Sequence, residues 1–398
     1  MAAAAAQQGS LDPDAMARAQ VALRAFTEAR DDSLPRKPTT AEKKILSLLN
    51  LPTEKVVDLG RGTFGWVVRA GDVVVKFMKP VPGDTFDGFC RRVSSEFTIG
   101  GMMKDSVGVM GATAAYIPRD AGDGPAAIRL SHKGDMTMWE LANGYAHSPT
   151  DPAGAACKEV MWADHRTPDC RASRDAAMEA WAAFAFMLVC NGLRALKILA
   201  EKGVCHGDIS PNNCMFRKAP GKPLWSLCVT DMGTATSVSA AVGKVSRVAG
   251  TESSSPPRVR ADGSVDMTKV EVVQSHERDM FSMGMTIIIC ILCANCKLYG
   301  YVPNKDTHVT MHIREYVLGH RATASTDLLE IGVTPLVVDM LNAMTHTDPT
   351  TRRSTVTRLE PRLNAAVCPL LPGPTRQGQR RGRDGIPDPN TRMSKRQR

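Results

Sequence analysis

The sequence shows no internal repeats, its start does not read as a secretory leader, and its most apolar run is short. Its first residues, "MAAAAAQQGS", carry neither a basic start nor a long apolar stretch, so they do not read as a signal peptide. The most apolar run, "MGMTIIICILC" at 283–293, falls short of the roughly 20 residues that a spanning helix needs. It is expected as a helix buried in a globular core, and no membrane partner is expected. The 11 cysteines are scattered, and without a secretory segment their thiols are expected to be reduced.

A strongly basic globular surface is missing as well. Of the net charge of +9, the stretch 374–398 supplies +6: Arg376, Arg380, Arg381, Arg383, Arg392, Lys395, Arg396 and Arg398 stand against Asp384 and Asp388. Only +3 is left for everything before it, which argues against a dedicated nucleic-acid surface. The tail itself suits a nuclear-import receptor, a weak nucleic-acid contact or plain solvation.

What is present is a chain of 398 residues with 43% hydrophobic content, enough for one large domain or two modest ones. Residues 1–51 read as an N-terminal extension, partly helical or disordered, with a helix signal in "LDPDAMARAQVALRAFTEAR" behind an Asp-Pro start. From residue 56, "VVDLGRGTFGWVVRAGDVVVKFMK" alternates β-formers around glycines and predicts a hairpin followed by a third strand. "FCRRVSSEFTIGGMM" predicts a helix and "AAIRL" at 126–130 a short buried strand. Helices are expected to dominate after Leu130. "AAMEAWAAFAFMLVCNGLRALKILAEKG" predicts a long apolar helix stopped by Gly203, glycine being the usual residue past a helix end. Residues 147–173 read as an inserted loop, and 368–398 as a basic disordered tail.

The chemistry-bearing residues fall in four places. Gly60-Arg61-Gly62-Thr63-Phe64-Gly65-Trp66-Val67 spells G-x-G-x-x-G-x-V. Alone it is weak, but β-like sequence on both sides puts the glycines at a hairpin bend, where backbone N–H groups can close over phosphates. Lys76 ends "VVVK" 16 residues after Gly60. A lysine closing an apolar strand points a cation into a partly dry site; taken by itself, the plainer reading is a strand-end lysine with its head in water. Glu96, 20 residues on, lies in the predicted helix and could pair with it. "CHGDISPNNCMF" carries His206, Asp208 and Asn213 between apolar runs; such residues also build ordinary Asx turns. "LCVTDMG" puts Asp231 after an apolar strand and before Gly233, where carboxylate oxygen suits a hard cation.

Taken together and in this order, these segments resemble the protein-kinase superfamily over about 56–363. The resemblance extends to "HERDMFSMGM", with Asp279 like the buried aspartate that anchors the catalytic loop, and to "DPTTRRS", with Asp348, Pro349 and Arg352. In general character the chain is most similar to the conserved protein kinases encoded by herpesviruses.

The resemblance implies an α+β fold of two lobes: a small β-rich N-lobe over 52–130 and a larger helical C-lobe over 131–367, with ATP and Mg²⁺ between them. It assigns Asp208 the proton of the incoming hydroxyl and Lys76 the α/β-phosphates, with Glu96 positioning Lys76. Asn213 and Asp231 would hold Mg²⁺. Gly60, Arg61, Gly62, Thr63, Phe64, Gly65 and Val67 would cover the nucleotide. Ile128 would lie near the gatekeeper position, and Arg129 and Ser131 in the adenine-contacting hinge. His206 is expected to be structural. Protein substrates bearing Ser or Thr follow, as do a viral origin and a location in the host nucleus and cytoplasm or the virion.

Departures from the family pattern are specific. Gly207 replaces the arginine before the catalytic aspartate, Ser210 a lysine, and Met232 a phenylalanine. "SSSPPRV" stands for "A-P-E", with Arg258 in place of the glutamate that would pair with Arg352. These substitutions keep a nucleotide-binding pseudokinase scaffold as the alternative; a small-molecule kinase of related fold is disfavoured by the "HERDMFSMGM" segment. Cys290-x-x-Cys293-x-x-Cys296 resembles a metal run but lies in or just after the apolar helix without an evident fourth ligand, so core packing is expected.

Overall fold

The computed structural model describes residues 35–131, 136–140, 171–218, 225–238, 251–295 and 309–366, apart from 63, 261, 263 and 272. The fold mixes helix and strand. Its β-rich part is an antiparallel sheet of five strands: β1 (Val57–Gly62), β2 (Gly65–Ala70), β3 (Val73–Met78), β4 (Ala112–Tyr116) and β5 (Ala126–Leu130), in the order β1-β2-β3-β5-β4. β4 is alanine-rich and lacks the β-branched pattern that announces a strand.

β3 lies at the sheet centre and is covered on both faces. Val75 and Phe77 pack into one apolar cluster, while Met78 packs into another with Phe89 and Val93. Strand alternation therefore puts Lys76 on the Met78 face. That face is covered by helix α2 (Phe86–Met102), whose buried residues Phe89, Val93, Glu96 and Gly100 recur at helical spacing.

The opposite face of the sheet is covered by helix α1 (Thr40–Leu48), whose Ile45 and Leu46 are fully buried. Thr39 caps α1 with Glu42 in a reciprocal capping box. Glu42 goes further: it accepts from the Trp66 indole at 2.7 Å and from Arg36, which also binds Asp58 at 2.7 Å. Residues 36–51, read from sequence with the extension, are thus packed against the glycine hairpin.

The helical part is built around α3 (Arg171–Glu201) and α4 (His276–Asn295). α3 ends before Gly203, at φ +64°, as expected. The stretch 181–201 is long and apolar enough to cross a membrane, but 72% of its most apolar window is buried inside the protein. In α4, Met283, Met285, Ile287, Ile289, Cys290 and Ile291 are fully buried. Cys290 and Cys293 are core thiols as anticipated; Cys296 lies outside the described residues.

Short strands flank these helices. β6 (Met136–Thr137), β8 (Cys214–Lys218) and β9 (Trp225–Val229) form one small sheet; β7 (Val204–Cys205) pairs with β10 (Thr236–Ser237), and β11 (Pro257–Val259) with β12 (Val265–Val270). Helices α5 (Val309–Gly319), α6 (Arg321–Ile331), α7 (Pro335–Met344) and α8 (Pro349–Ala365) complete the body. Residues 1–34, most of the anticipated insertion at 147–173 and the tail 368–398 lie outside the described residues.

Candidate functional site

The site begins with a lysine that the sheet buries. Lys76 sits opposite Val67 on β2 and Ile128 on β5 and is 8% exposed. Its head is not in water, as a strand-end lysine by itself would suggest. Nζ donates to Glu96 Oε1 and to Asp231 Oδ1, both at 2.6 Å. Burial alone would lower the ammonium, but the carboxylates of Asp231 and Glu96 outweigh it and hold Lys76 above its ordinary value. Burial likewise acts to raise Asp231; the Lys76 charge prevails and lowers it.

Local backbone geometry brings Asp231 to Lys76. Asp231 occupies the left-handed region at φ 64° and accepts the Gly233 N–H at 3.2 Å. A Cβ on Gly233 would lie 3.1 Å from Glu96 Oε2, so glycine permits the close approach of this turn to α2. Met232, after Asp231, is buried.

The stretch 206–213 is tied down from three sides. Asp279, in the first turn of α4, accepts the backbone N–H of His206 at 2.6 Å and of Gly207 at 2.9 Å. The His206 ring is fully buried, with Nε2 2.8 Å from the Thr230 carbonyl and Nδ1 accepting the Asp208 N–H at 3.3 Å. The Thr230 N–H donates to the Asn213 carbonyl at 2.8 Å. His206 is thus a brace between the Asp208 and Asp231 segments, as expected.

Asp208 and Asn213 meet. Asn213 Nδ2 donates to the Asp208 carbonyl at 2.9 Å and to Oδ2 at 3.0 Å. That leaves the Asn213 amide oxygen as a cation donor. Asp208 Oδ1 accepts the N–H of Thr251 at 2.6 Å and its hydroxyl at 2.8 Å. Thr251 is the site residue that the sequence did not single out; its place in "GTESSSPP" carries no signal except beside Asp208.

Two departures acquire a local cause. Gly207 has φ +78°, and a Cβ there would lie 2.6 Å from the Gln274 amide nitrogen. That amide donates to the Thr234 carbonyl and accepts from Thr236. Gln274 thus fills the space beside Gly207 where a longer side chain would run. Arg352 donates to the carbonyls of His346, Glu277 and Thr347 and lies over the Phe281 ring at 5.1 Å. Carbonyl groups supply its partners without a glutamate. Ser210 is fully buried, and its hydroxyl has no hydrogen-bond partner among the described residues.

The glycine hairpin is assembled over the same face. Gly65, at φ +156°, leaves no room for a side chain: a Cβ would meet the Phe77 carbonyl oxygen at 1.8 Å. Gly60 and Gly62 pair with Val67 and Gly65 across the hairpin, and no atom lies within 4 Å of a Cβ built on either. Arg61 is exposed and 3.6 Å from Asp58. The Phe64 carbonyl accepts the Lys79 N–H, and its ring carries the Arg92 guanidinium at 5.3 Å. Arg129 lies opposite Val75. Ser131 donates its N–H to the Gly111 carbonyl at 2.8 Å and accepts from the Gly111 N–H at 3.0 Å. Thr63 lies outside the described residues.

Two oxygen atoms here could hold a hard cation. The Asp231 side chain is 37% exposed and uses only Oδ1 internally among the described residues. Its second oxygen and the Asn213 amide oxygen are hard donors of the kind Mg²⁺ takes. No protein-family model matches the chain, and no curated protein matches it.

Proposed function

We propose that the chain is an ATP-dependent protein kinase of divergent type, which transfers the γ-phosphoryl group to Ser or Thr hydroxyls of proteins. The observation that carries the reading is Lys76 bonded to both Glu96 and Asp231, the latter 155 residues away in sequence. Phosphoryl transfer asks the protein chiefly for position and charge, and a buried lysine held between two carboxylates supplies both. The five-stranded sheet with α2 on its Lys76 face, set against a helical body, supports a two-lobed kinase fold.

Within this reading each residue has one task. Lys76 binds the α/β-phosphates and Glu96 keeps it there. Asp231 and Asn213 hold Mg²⁺, which when bound neutralises phosphate charge. Asp208 orients the hydroxyl and accepts its proton. Gly65 keeps the hairpin close to β3, and Arg129 and Ser131 face the adenine end. A viral source, with action in the host nucleus and cytoplasm or the virion, belongs to the same proposal and rests on general resemblance alone.

The second reading, a nucleotide-binding pseudokinase scaffold, is favoured by Ser210, which brings no cation to Asp208. Turnover separates the two. Labelled phosphate should pass from Mg·ATP to a basic protein and to Ser/Thr peptides in the presence of the purified full chain, and Lys76→Met should abolish it. Transfer unaltered by that substitution contradicts the kinase reading, and nucleotide binding without transfer supports the scaffold.

A further inference from the structure

Two buried guanidinium groups in the helical body leave hydrogen-bond donors without a partner among the described residues. Arg278 at the start of α4 and Arg314 in α5 are each 2% exposed. Arg278 Nη2 reaches Ser255 Oγ only at 3.4 Å, while its Nε and Nη1 are buried without a partner. Arg314 Nε donates to the Ser255 carbonyl at 3.1 Å, and its Nη2 is buried without a partner. Burial draws both guanidinium groups below their ordinary value.

Burial in this fold does not by itself leave an arginine unsatisfied. Arg352 is equally buried, yet it donates to three carbonyls and stacks on Phe281. Unpaired buried donors are costly and call for a local explanation. Both guanidinium groups bond one residue, Ser255, through their other nitrogens: Arg278 Nη2 at its hydroxyl and Arg314 Nε at its carbonyl. That residue closes a turn whose first residue, Thr251, holds the Asp208 carboxylate. Carboxylates act electrostatically on both groups: Asp279, Asp208 and Glu271 on Arg278, and Glu252 and Glu315 on Arg314. Both arginines are therefore anchored one turn of chain from the carboxylate assigned to the reacting hydroxyl.

We propose that Arg278, Arg314 and the turn at Ser255 form an oxyanion site, which takes a carboxylate or phosphate carried by the protein substrate beside the hydroxyl that reacts at Asp208. The proposal rests on the kinase reading for its substrate. Guanidinium forks match both oxyanions. The Ser255 hydroxyl is directed at the Thr251 carbonyl and is buried, so the oxyanion comes from outside the turn. Its entry replaces the 3.4 Å contact of Arg278 with Ser255, which is long for a hydrogen bond.

The test compares three peptides of one sequence around a phosphoacceptor serine, with aspartate, phosphoserine or alanine at the neighbouring positions, using the purified full chain. The wild type should favour the aspartate or phosphoserine peptide in kcat/KM by about 10- to 100-fold, the range expected for charge-assisted hydrogen bonds. That ratio should fall toward one in Arg314→Gln and in Ser255→Glu, which supplies a carboxylate in place. Ser255→Glu should also raise Tm, showing that the variant is folded. No preference in the wild type, or the same preference in both variants, overturns the proposal. So does stoichiometric phosphate on Ser255 of the purified chain by mass spectrometry, which would make the oxyanion internal. If no peptide is phosphorylated, the kinase reading fails. Inorganic phosphate then tests the site alone: it should raise Tm over chloride at matched ionic strength in the wild type and not in Arg314→Gln, and equal shifts in both overturn the site.

Discussion

Asp279 accepts the backbone N–H of His206 at 2.6 Å across 73 residues of sequence and takes the next N–H, of Gly207, on its other oxygen. A fully buried carboxylate satisfied by two backbone donors fixes the stretch that carries Asp208 and Asn213. Asp279→Asn replaces one acceptor oxygen with an NH₂ facing an N–H. The loss should be on the order of 3 kcal/mol, since hydrogen bonds to charged groups contribute about 1.5–3 kcal/mol each. Urea unfolding measures the stability, and phosphotransfer should fall with it at temperatures where the variant remains folded.

Lys76 is the only described cation within bonding distance of both Glu96 and Asp231. Lys76→Met should lower phosphotransfer by about 10²–10³-fold, the cost of removing one preorganised donor. It should also lower Tm, because Glu96 is left buried and uncompensated. Adding Glu96→Gln should restore part of the Tm but none of the activity. Additive losses of Tm in the double variant would contradict the pairing.

Gly65 meets the β3 backbone where a side chain cannot fit. Gly65→Ala should destabilise by about 2 kcal/mol or more, as a backbone clash must be relieved by shifting β2 from β3. Gly60→Ala, with open space around it, should cost less than about 1 kcal/mol. Thermal unfolding of the two variants side by side checks the contrast.

The carboxyl of Glu42 is brought down to about 2: burial acts to raise it, but Arg36, the Thr39 N–H and the Trp66 indole prevail. Its folded value lies below the unfolded value of about 4.3. This contribution to stability is therefore fully present above roughly pH 5 and disappears as pH falls through that window toward 2. The wild type should lose stability between about pH 4 and pH 2 along a steeper curve than Glu42→Gln, which should be less stable at pH 7. Parallel acid curves for the two proteins would contradict the Arg36–Glu42 clamp.

Much of this arrangement was legible in the sequence, and unevenly so. The glycine hairpin, the helix carrying Glu96 and the long helix stopped by Gly203 follow from period and punctuation, which are local. The pairing of Lys76 with Glu96 could be read from the sequence, but burial competed there with an ordinary solvated strand-end lysine, and the second carboxylate is 155 residues away. The role of residues 36–51 was missed because Arg36, Glu42, Asp58 and Trp66 are unremarkable singly and become a network only when α1 covers the sheet. Thr251 escaped for the same reason: its partner Asp208 is 43 residues distant. Gly207 was visible as a departure, but its cause, Gln274, is a tertiary neighbour.

The most direct measurement of the central claim is single-turnover transfer of phosphate from Mg·ATP to a Ser/Thr protein substrate, wild type against Asp208→Asn. The isosteric change keeps the hydrogen bonds that an amide oxygen can accept and removes the proton acceptor. The account predicts a rate lower by about 10²–10⁴-fold, the usual worth of a general base, with nucleotide binding retained. Equal rates in the two proteins would contradict it.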